Sequence, residues 1–125
     1  MFKTRTVLFF FLIWVLATSV SVSAQRKKMA QAGWISDQAC GAQHAKAGGA
    51  GADCVRKCWR GGASVGHPEW KPQPAIFVTD KDHSTWLIEN PDAVKQFPAM
   101  HVMVNGKFDS VKKTIHIDKI SASAS

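Results

Sequence analysis

The chain has 125 residues, with 16 basic against 9 acidic side chains and a formal net charge of +7 at pH 7. That length leaves room for one small hydrophobic core and excludes an architecture with two cores. The basic balance is explained first by solubility, and an anionic partner is the alternative. Because the N-terminus predicts export, we expect that partner to be an anionic cell-envelope surface or a cell-wall glycan and not a nucleic acid.

The N-terminal segment, residues 1–24, has the three parts of a secretory signal peptide. Lys3 and Arg5 form a positive region, residues 7–17 an apolar core, and Val22-Ser23-Ala24 a small-residue cleavage site. The apolar run is much shorter than the span of about 20 residues that a membrane helix needs. We therefore expect cleavage and not an uncleaved anchor. The mature chain would then have no stable membrane span and would lie in the periplasm or outside the cell.

The first part of the mature chain is dominated by short polar and glycine-rich segments. It is predicted to contain, in order, a mobile basic arm (25–32), a strand (33–36), a helix (38–46), a flexible connection (47–52) and a second helix (Cys54 to Arg60). Asp37 and Asp53 suit the N-caps of the two helices, and Gly61-Gly62 suits a C-terminal stop. We call residues 37–62 the Cys/His insertion, because they contain all three cysteines and one histidine.

The second part of the mature chain has the alternating pattern of β structure. After a Pro-rich loop with three prolines (66–74), it is predicted to contain a hairpin (75–79 and 84–89), a short helix from Asn90-Pro91 to Pro98, two further strands (100–108 and 113–120) and a frayed tail (121–125). Gly106 is predicted to bend or bulge the fourth strand, and Ile115 and Ile117 to face inward on the fifth.

Five strands with a helix between the third and fourth is the element order of an OB-type barrel, a small, partly open Greek-key β-barrel. The predicted fold class is therefore mainly β, a single OB-like domain over residues 33–120 with a two-helix insertion between the first two strands. A five-stranded sheet with helices packed on one side is the alternative.

Four segments together resemble a family of small exported bacterial proteins of unknown function. These are GWISDQACGAQH, CVRKCWRGGA, FVTDKDHSTWLIENPDAVKQF and HVMVNGKFDSVKKTIHIDKI, which span nearly all of residues 33–120. The family pattern is a G-W-x-x-D-x-x-C-G-x-x-H opening, a later cysteine pair followed by Gly-Ala, and a small β-barrel. The resemblance implies this architecture and export, and it implies no activity. The Pro-rich loop departs from the pattern as an insertion.

The cysteines allow three kinds of chemistry. Cys40 and His44, like Cys54 and Cys58, lie four residues apart, so each pair shares one helix face and all four can bind one zinc or copper(I) ion. In an oxidising compartment, a disulfide from Cys40 to Cys54 or Cys58 is the leading expectation. A redox role is the third, since nearby Arg and Lys side chains lower thiol pKa values.

Three aromatic residues make an oligosaccharide-binding face the other alternative. In OB folds the second and third strands bind such ligands, which would place Phe77 and Trp86, together with Trp70 of the Pro-rich loop, against sugar rings. A core position is the commoner one for strand aromatics in a small barrel, and both residues suit it. The sequence contains no catalytic triad order, phosphate loop or H-E-x-x-H motif. We therefore expect a non-enzymatic envelope protein with a structural or binding role.

Overall fold

The computed structural model describes residues 26–44 and 51–123, without the side chains of His44, Ser64 and Val65. The predicted signal peptide (1–24), Gln25, the end of the predicted helix over 38–46 (45–46), most of the glycine-rich connection (47–50) and the last two residues lie outside this part. Within the described ranges, none of the helices combines the length and the apolar character needed to cross a membrane.

Five strands form a closed barrel in the order β1-β2-β3-β5-β4. They are β1 (Lys27–Asp37), β2 (Ala75–Thr79), β3 (Thr85–Ile88), β4 (His101–Asp109) and β5 (Thr114–Ala122). The β3–β5 pair is parallel and the other neighbours are antiparallel. This confirms the predicted mainly β fold class and the small OB-like barrel.

The longest strand, β1, closes the barrel because it pairs with both β2 and β4. Lys28 lies opposite Lys107, and Ala32 lies opposite Met103. Residues 27–32 are therefore the first half of a strand, and their prediction as a mobile arm was wrong. The two lysines that begin this segment suggested a solvated arm, but its backbone pairs with β4. Met29 also packs against the core.

The barrel interior is filled by apolar side chains that all five strands contribute. The buried cluster consists of Ile35, Ala75, Phe77, Trp86, Ile88, Val94, Val102, Val104, Phe108, Ile115 and Ile117. The Phe108 ring meets Trp86 edge-on, with ring centroids 5.0 Å apart. Such edge-to-face packing stabilises aromatic pairs beyond the area they bury. The inward positions predicted on β5 are confirmed.

The predicted irregularity of β4 is also confirmed. Its pairing with β5 shifts between Asn105 and Gly106, which is a bulge. A Cβ atom at Gly106 would overlap the carbonyl oxygen of His116. Only glycine therefore lets the two strands approach this closely.

The helical segments are shorter than predicted, except for one. Helix α1 covers Gly51–Arg60, so Asp53 lies in its first turn and is not its cap. Over 38–44, the described part of the predicted helix over 38–46, only a 3-10 turn forms, Gly41–His44, and the helix predicted after Asn90 is a 3-10 turn, Pro91–Val94. Asn90 does not cap its turn. Its side-chain amide instead bonds both the N–H and the C=O of Ile117, which fixes this turn to β5.

Candidate metal centre

Helix α1 carries two of the three cysteines and is anchored to the barrel by its other face. Val55 is fully buried and Trp59 packs against the core cluster. The Trp59 indole Nε1–H donates a hydrogen bond to the carbonyl oxygen of Ser36 in β1, at 3.2 Å. Cys54 and Cys58, four residues apart, consequently share a different stripe of the helix.

The third cysteine, Cys40, lies in the turn that follows β1. Its N–H donates to Asp37 Oδ1 at 2.9 Å, and the hydroxyl of Ser36 donates to the carbonyl oxygen of Gly41 at 2.7 Å. Asp37 therefore caps a turn, as Asp residues commonly do, and not the longer helix that the sequence predicts. The two bonds together hold Cys40 against the end of the barrel.

The C-terminal end of α1 is fixed by glycine and by the Pro-rich loop. Gly61 has a φ of 79° and its N–H donates to the carbonyl oxygen of Lys57 at 3.0 Å, the predicted glycine stop. The carbonyl oxygen of Cys58 accepts the N–H of Gln73 at 2.8 Å, and the N–H of Gln38 donates to the carbonyl oxygen of Pro74 at 3.1 Å. The loop thus joins the last turn of α1 to the turn that carries Cys40.

These contacts bring the three thiols together. The Sγ atoms of Cys40, Cys54 and Cys58 all lie within 4.8 Å of one another. All three cysteines are free. The disulfide expected from Cys40 to Cys54 or Cys58 is therefore not formed. The three sulfurs lie close together, but no two of them are at bonding distance.

The fourth residue of the predicted Cys3His set is only partly described. His44 ends the 3-10 turn that begins directly after Cys40. Its side chain lies outside the described part of the chain, so its role as the fourth ligand stays a prediction.

The charge environment raises the pKa values of two thiols. Partial burial raises the pKa of Cys58 to about 12, and the negative charge of Asp37 adds to the effect. Burial and Asp37 likewise raise the pKa of Cys40. The sequence suggested the opposite direction from nearby cations. A neutral thiol is a poor nucleophile, so this environment counts against a redox exchange role.

Asp37 is the residue of this site that the sequence analysis missed. Its side chain is fully buried, and its Oδ2 atom has no hydrogen-bond partner among the described residues. A buried carboxylate oxygen without a partner is uncommon, because desolvation makes it unfavourable. The spacing D-x-x-C was visible, but it suggested only a cap, and nothing in a single sequence indicates burial of the second oxygen.

A cavity of about 410 Å³ opens beside the cluster. Cys54 and Cys58 form part of its wall, together with Lys57, Trp70 and Lys71. The Trp70 indole is 55% exposed and stacks on the His67 ring, with centroids 3.9 Å apart. Small solutes can therefore reach the thiols from solvent.

The barrel face predicted for oligosaccharides does not present its aromatic side chains. Phe77 is 0% and Trp86 8% exposed, and both belong to the core cluster. Their pattern allowed either a binding face or a core position, and the structure places both in the core. Of the three aromatic residues proposed for that face, only Trp70 is exposed, and it lies at the cysteine cavity.

Cations gather on the opposite side of α1 from this cavity. A second cavity, of about 620 Å³, is bordered by Arg56, Arg60 and Lys95 over a floor that includes Trp59 and Ile88. Arg56 is partly neutralised by Asp53, at 3.1 Å, and Lys95 by Asp92, at 2.7 Å. This surface is where the excess positive charge of the insertion meets the barrel.

Comparison with known proteins found no relative of this chain. No family model matches the chain, and neither a curated protein nor a solved structure matches it. The resemblance to the exported family therefore stays an expectation based on motifs. The chemistry of the site rests on its own geometry.

Proposed function

We propose that this chain is a metal-binding protein that holds one zinc or copper(I) ion on the thiolates of Cys40, Cys54 and Cys58. The observation that carries the proposal is the convergence of three free Sγ atoms within 4.8 Å of one another. A tetrahedral zinc ion at about 2.3 Å from each sulfur separates the sulfurs by about 3.8 Å. Metal uptake therefore needs only a small contraction of the cluster.

The way in which the cysteines are held supports this proposal. Cys40 is fixed by its N–H bond to Asp37 and Cys58 by its carbonyl bond from Gln73. Two chain segments far apart in sequence thus present sulfur to one point without a covalent link between them. Preorganised ligands of this kind reduce the ordering that metal binding requires.

Access and donor chemistry also fit a metal centre. The cavity beside Cys54 and Cys58 gives an ion a path from solvent. Thiolate is the donor that copper(I) prefers and one of the two main donors for zinc in proteins. We propose His44 as the fourth ligand, which would complete a closed, structural type of site.

The physiological setting belongs to the same proposal. If the N-terminal segment directs export, the ion is met in the periplasm or outside the cell. A bound metal would there protect the thiols from oxidation, because coordinated thiolates are withheld from disulfide formation. The protein would act in the envelope without catalysing a reaction.

Elemental analysis combined with native mass spectrometry tests the proposal on the chain purified without chelator. We expect one equivalent of zinc or copper in the wild type and a loss of stoichiometric metal in Cys54→Ser and Cys58→Ser. His44→Ala tests the fourth ligand, with His116→Ala on β5 as the matched histidine control. A wild-type protein with three reactive thiols and no affinity for either ion would refute the proposal.

A further inference from the structure

Asp37 places a carboxylate next to the cysteine cluster. Holding the turn that carries Cys40 needs only a hydrogen-bond acceptor and not a charge. Its Oδ1 atom holds the turn through the N–H of Cys40, at 2.9 Å. Its Oδ2 atom is buried and has no hydrogen-bond partner among the residues that the structure describes. The Oδ1 atom therefore stabilises the turn, whereas the turn gives no reason for the burial of the Oδ2 atom.

A second buried aspartate shows what a purely structural role looks like. Asp109 ends β4, as Asp37 ends β1, and its side chain is 2% exposed. Its Oδ1 atom accepts the N–H groups of Val111 and Lys112, at 3.0 and 2.9 Å. Asp37 accepts only one N–H, that of Cys40. Its second oxygen has no partner among the described residues, and the residue lies next to the thiol cluster. The two aspartates therefore differ in the number of donors around the carboxylate.

The negative charge of Asp37 acts on the cluster itself. Its Oδ1 atom accepts the N–H of Cys40 at 2.9 Å, and the Sγ atom of Cys40 lies within 4.8 Å of the Sγ atoms of Cys54 and Cys58, so the carboxylate lies next to the cluster. Any cation bound by the thiols sits in the field of this charge. The attraction between a fixed charge and an ion is proportional to the charge of the ion. Asp37 therefore stabilises a divalent ion about twice as strongly as a monovalent ion in the same position.

We propose that Asp37 determines metal specificity, making the cluster of Cys40, Cys54 and Cys58 select divalent zinc over monovalent copper(I). This inference rests on the proposed function, because it requires that the cluster binds metal. Without the carboxylate, three soft thiolates favour copper(I). With it, the divalent ion offsets more of the total negative charge of the site.

The ratio of the two affinities is the quantity to measure. Dissociation constants measured at one pH for both ions show how far each variant changes the preference between zinc and copper(I). Removal of a charge changes the ratio, since the two ions carry different charges.

The test uses Asp37→Asn, which keeps an oxygen for the Cys40 N–H and removes the charge. Dissociation constants for Zn²⁺ and Cu⁺ are measured by competition with chromophoric chelators under anaerobic conditions. We expect the preference for zinc over copper(I) to fall by about tenfold relative to the wild type. Asp109→Asn, the matched control at the other strand end, should leave the ratio unchanged.

Asp37→Ser provides a second variant if the amide fails to fold, because a serine hydroxyl also accepts the N–H of Cys40. An unchanged ratio in folded Asp37 variants that still bind metal would overturn the role of Asp37 and leave the metal centre standing. A wild type that binds neither ion would overturn both the proposed function and this inference. A ratio that falls equally in the Asp109 control would show a general electrostatic effect and also overturn it.

Discussion

The barrel and the Cys/His insertion are held together by different kinds of interaction. The barrel is closed by five hydrogen-bonded strand pairs around an apolar cluster whose members are 0–8% exposed. The insertion has one fully buried apolar side chain in α1, Val55. It is otherwise held by single hydrogen bonds, among them one that Asp37 accepts and two that Gln73 and Trp59 donate. The barrel is thus a scaffold, and the insertion is a site placed on its surface.

This difference has energetic consequences. Truncation of a large buried side chain typically lowers the free energy of unfolding by about 3–5 kcal/mol. A single hydrogen bond contributes a net stabilisation of about 0.5–1.5 kcal/mol. We therefore expect the barrel to fold without metal. The insertion, in contrast, already holds its ligands close together, and an ion at the cysteines should add to its stability.

The largest expected effect is in the barrel. Phe108→Ala removes the ring that packs edge-on against Trp86, and should lower the free energy of unfolding by about 3–5 kcal/mol. Urea denaturation measures it. Met103→Ala, on the solvent face of the same strand, is the control and should cost far less. A loss below about 1 kcal/mol for Phe108→Ala would contradict a barrel held by its apolar cluster.

The sequence predicted this part of the molecule well, because the relevant signals are local. A run of β-branched and aromatic residues gave β2 at its observed bounds, and Gly106 marked the bulge of β4. The errors occurred where tertiary pairing overrides composition. Residues 27–32, which begin with two lysines, carry no strand pattern of their own, yet they complete β1 because β4 lies beside them.

The candidate site was predictable only as a set of ligand types. Spacing of four residues correctly placed Cys54 and Cys58 on one helix face. It could not distinguish a disulfide from three free thiols, since that depends on where the turn after β1 carries Cys40. The buried second oxygen of Asp37 depends on the whole fold around it. The direction of the thiol pKa shifts was therefore also missed.

Metal removal should produce the next largest effect. It distinguishes the two regions, because the loss of stability should come from the insertion and not from the barrel. At a free ion concentration 100 times the dissociation constant, binding to the native state alone adds about 2.7 kcal/mol to stability. We expect chelator to lower the melting temperature while the β-sheet circular dichroism at 25 °C is retained. Cys58→Ser should melt at one temperature with or without the ion. Unfolding of the barrel on chelation would show that the scaffold itself needs the metal.

A smaller effect is expected at the junction of the two regions. Trp59→Phe keeps an aromatic ring and removes the Nε1–H that donates to the carbonyl oxygen of Ser36. The free energy of unfolding should fall by about 1 kcal/mol. Trp34→Phe is the matched control, because the Trp34 indole packs against His101 and has no hydrogen-bond partner for its N–H among the described residues. Equal losses in both variants would argue against the anchoring bond.

The smallest effect concerns a carboxylate at an exposed turn, one oxygen of which accepts three hydrogen bonds. Asp82 lies in the turn between β2 and β3, and its Oδ1 atom accepts the hydroxyl of Thr79 at 2.6 Å and both the hydroxyl and the N–H of Ser84, at 2.7 and 3.1 Å. These bonds, that from Thr79 most of all, hold the pKa of Asp82 well below its usual range. Because the folded state lowers this pKa, the resulting stabilisation is fully present above the unfolded value of about 3.9. It is lost as the pH falls through the lower, folded value.

Asp82→Asn should therefore melt below the wild type at pH 7, by less than the Trp59 variant because the turn is exposed to solvent. The gap in melting temperature should narrow as the pH falls below about 4, where the wild type begins to lose the contribution of the carboxylate. Glu89, whose pKa is also lowered, mainly by the hydroxyl of Thr114, titrates in both proteins and cancels from the difference. A gap that stays constant down to about pH 2 would mean that Asp82 stabilises the turn equally well when it is protonated. The charge of Asp82 would then contribute nothing to the stability of the barrel. Of the two aspartates, only Asp37 would remain as one whose charge is proposed to matter.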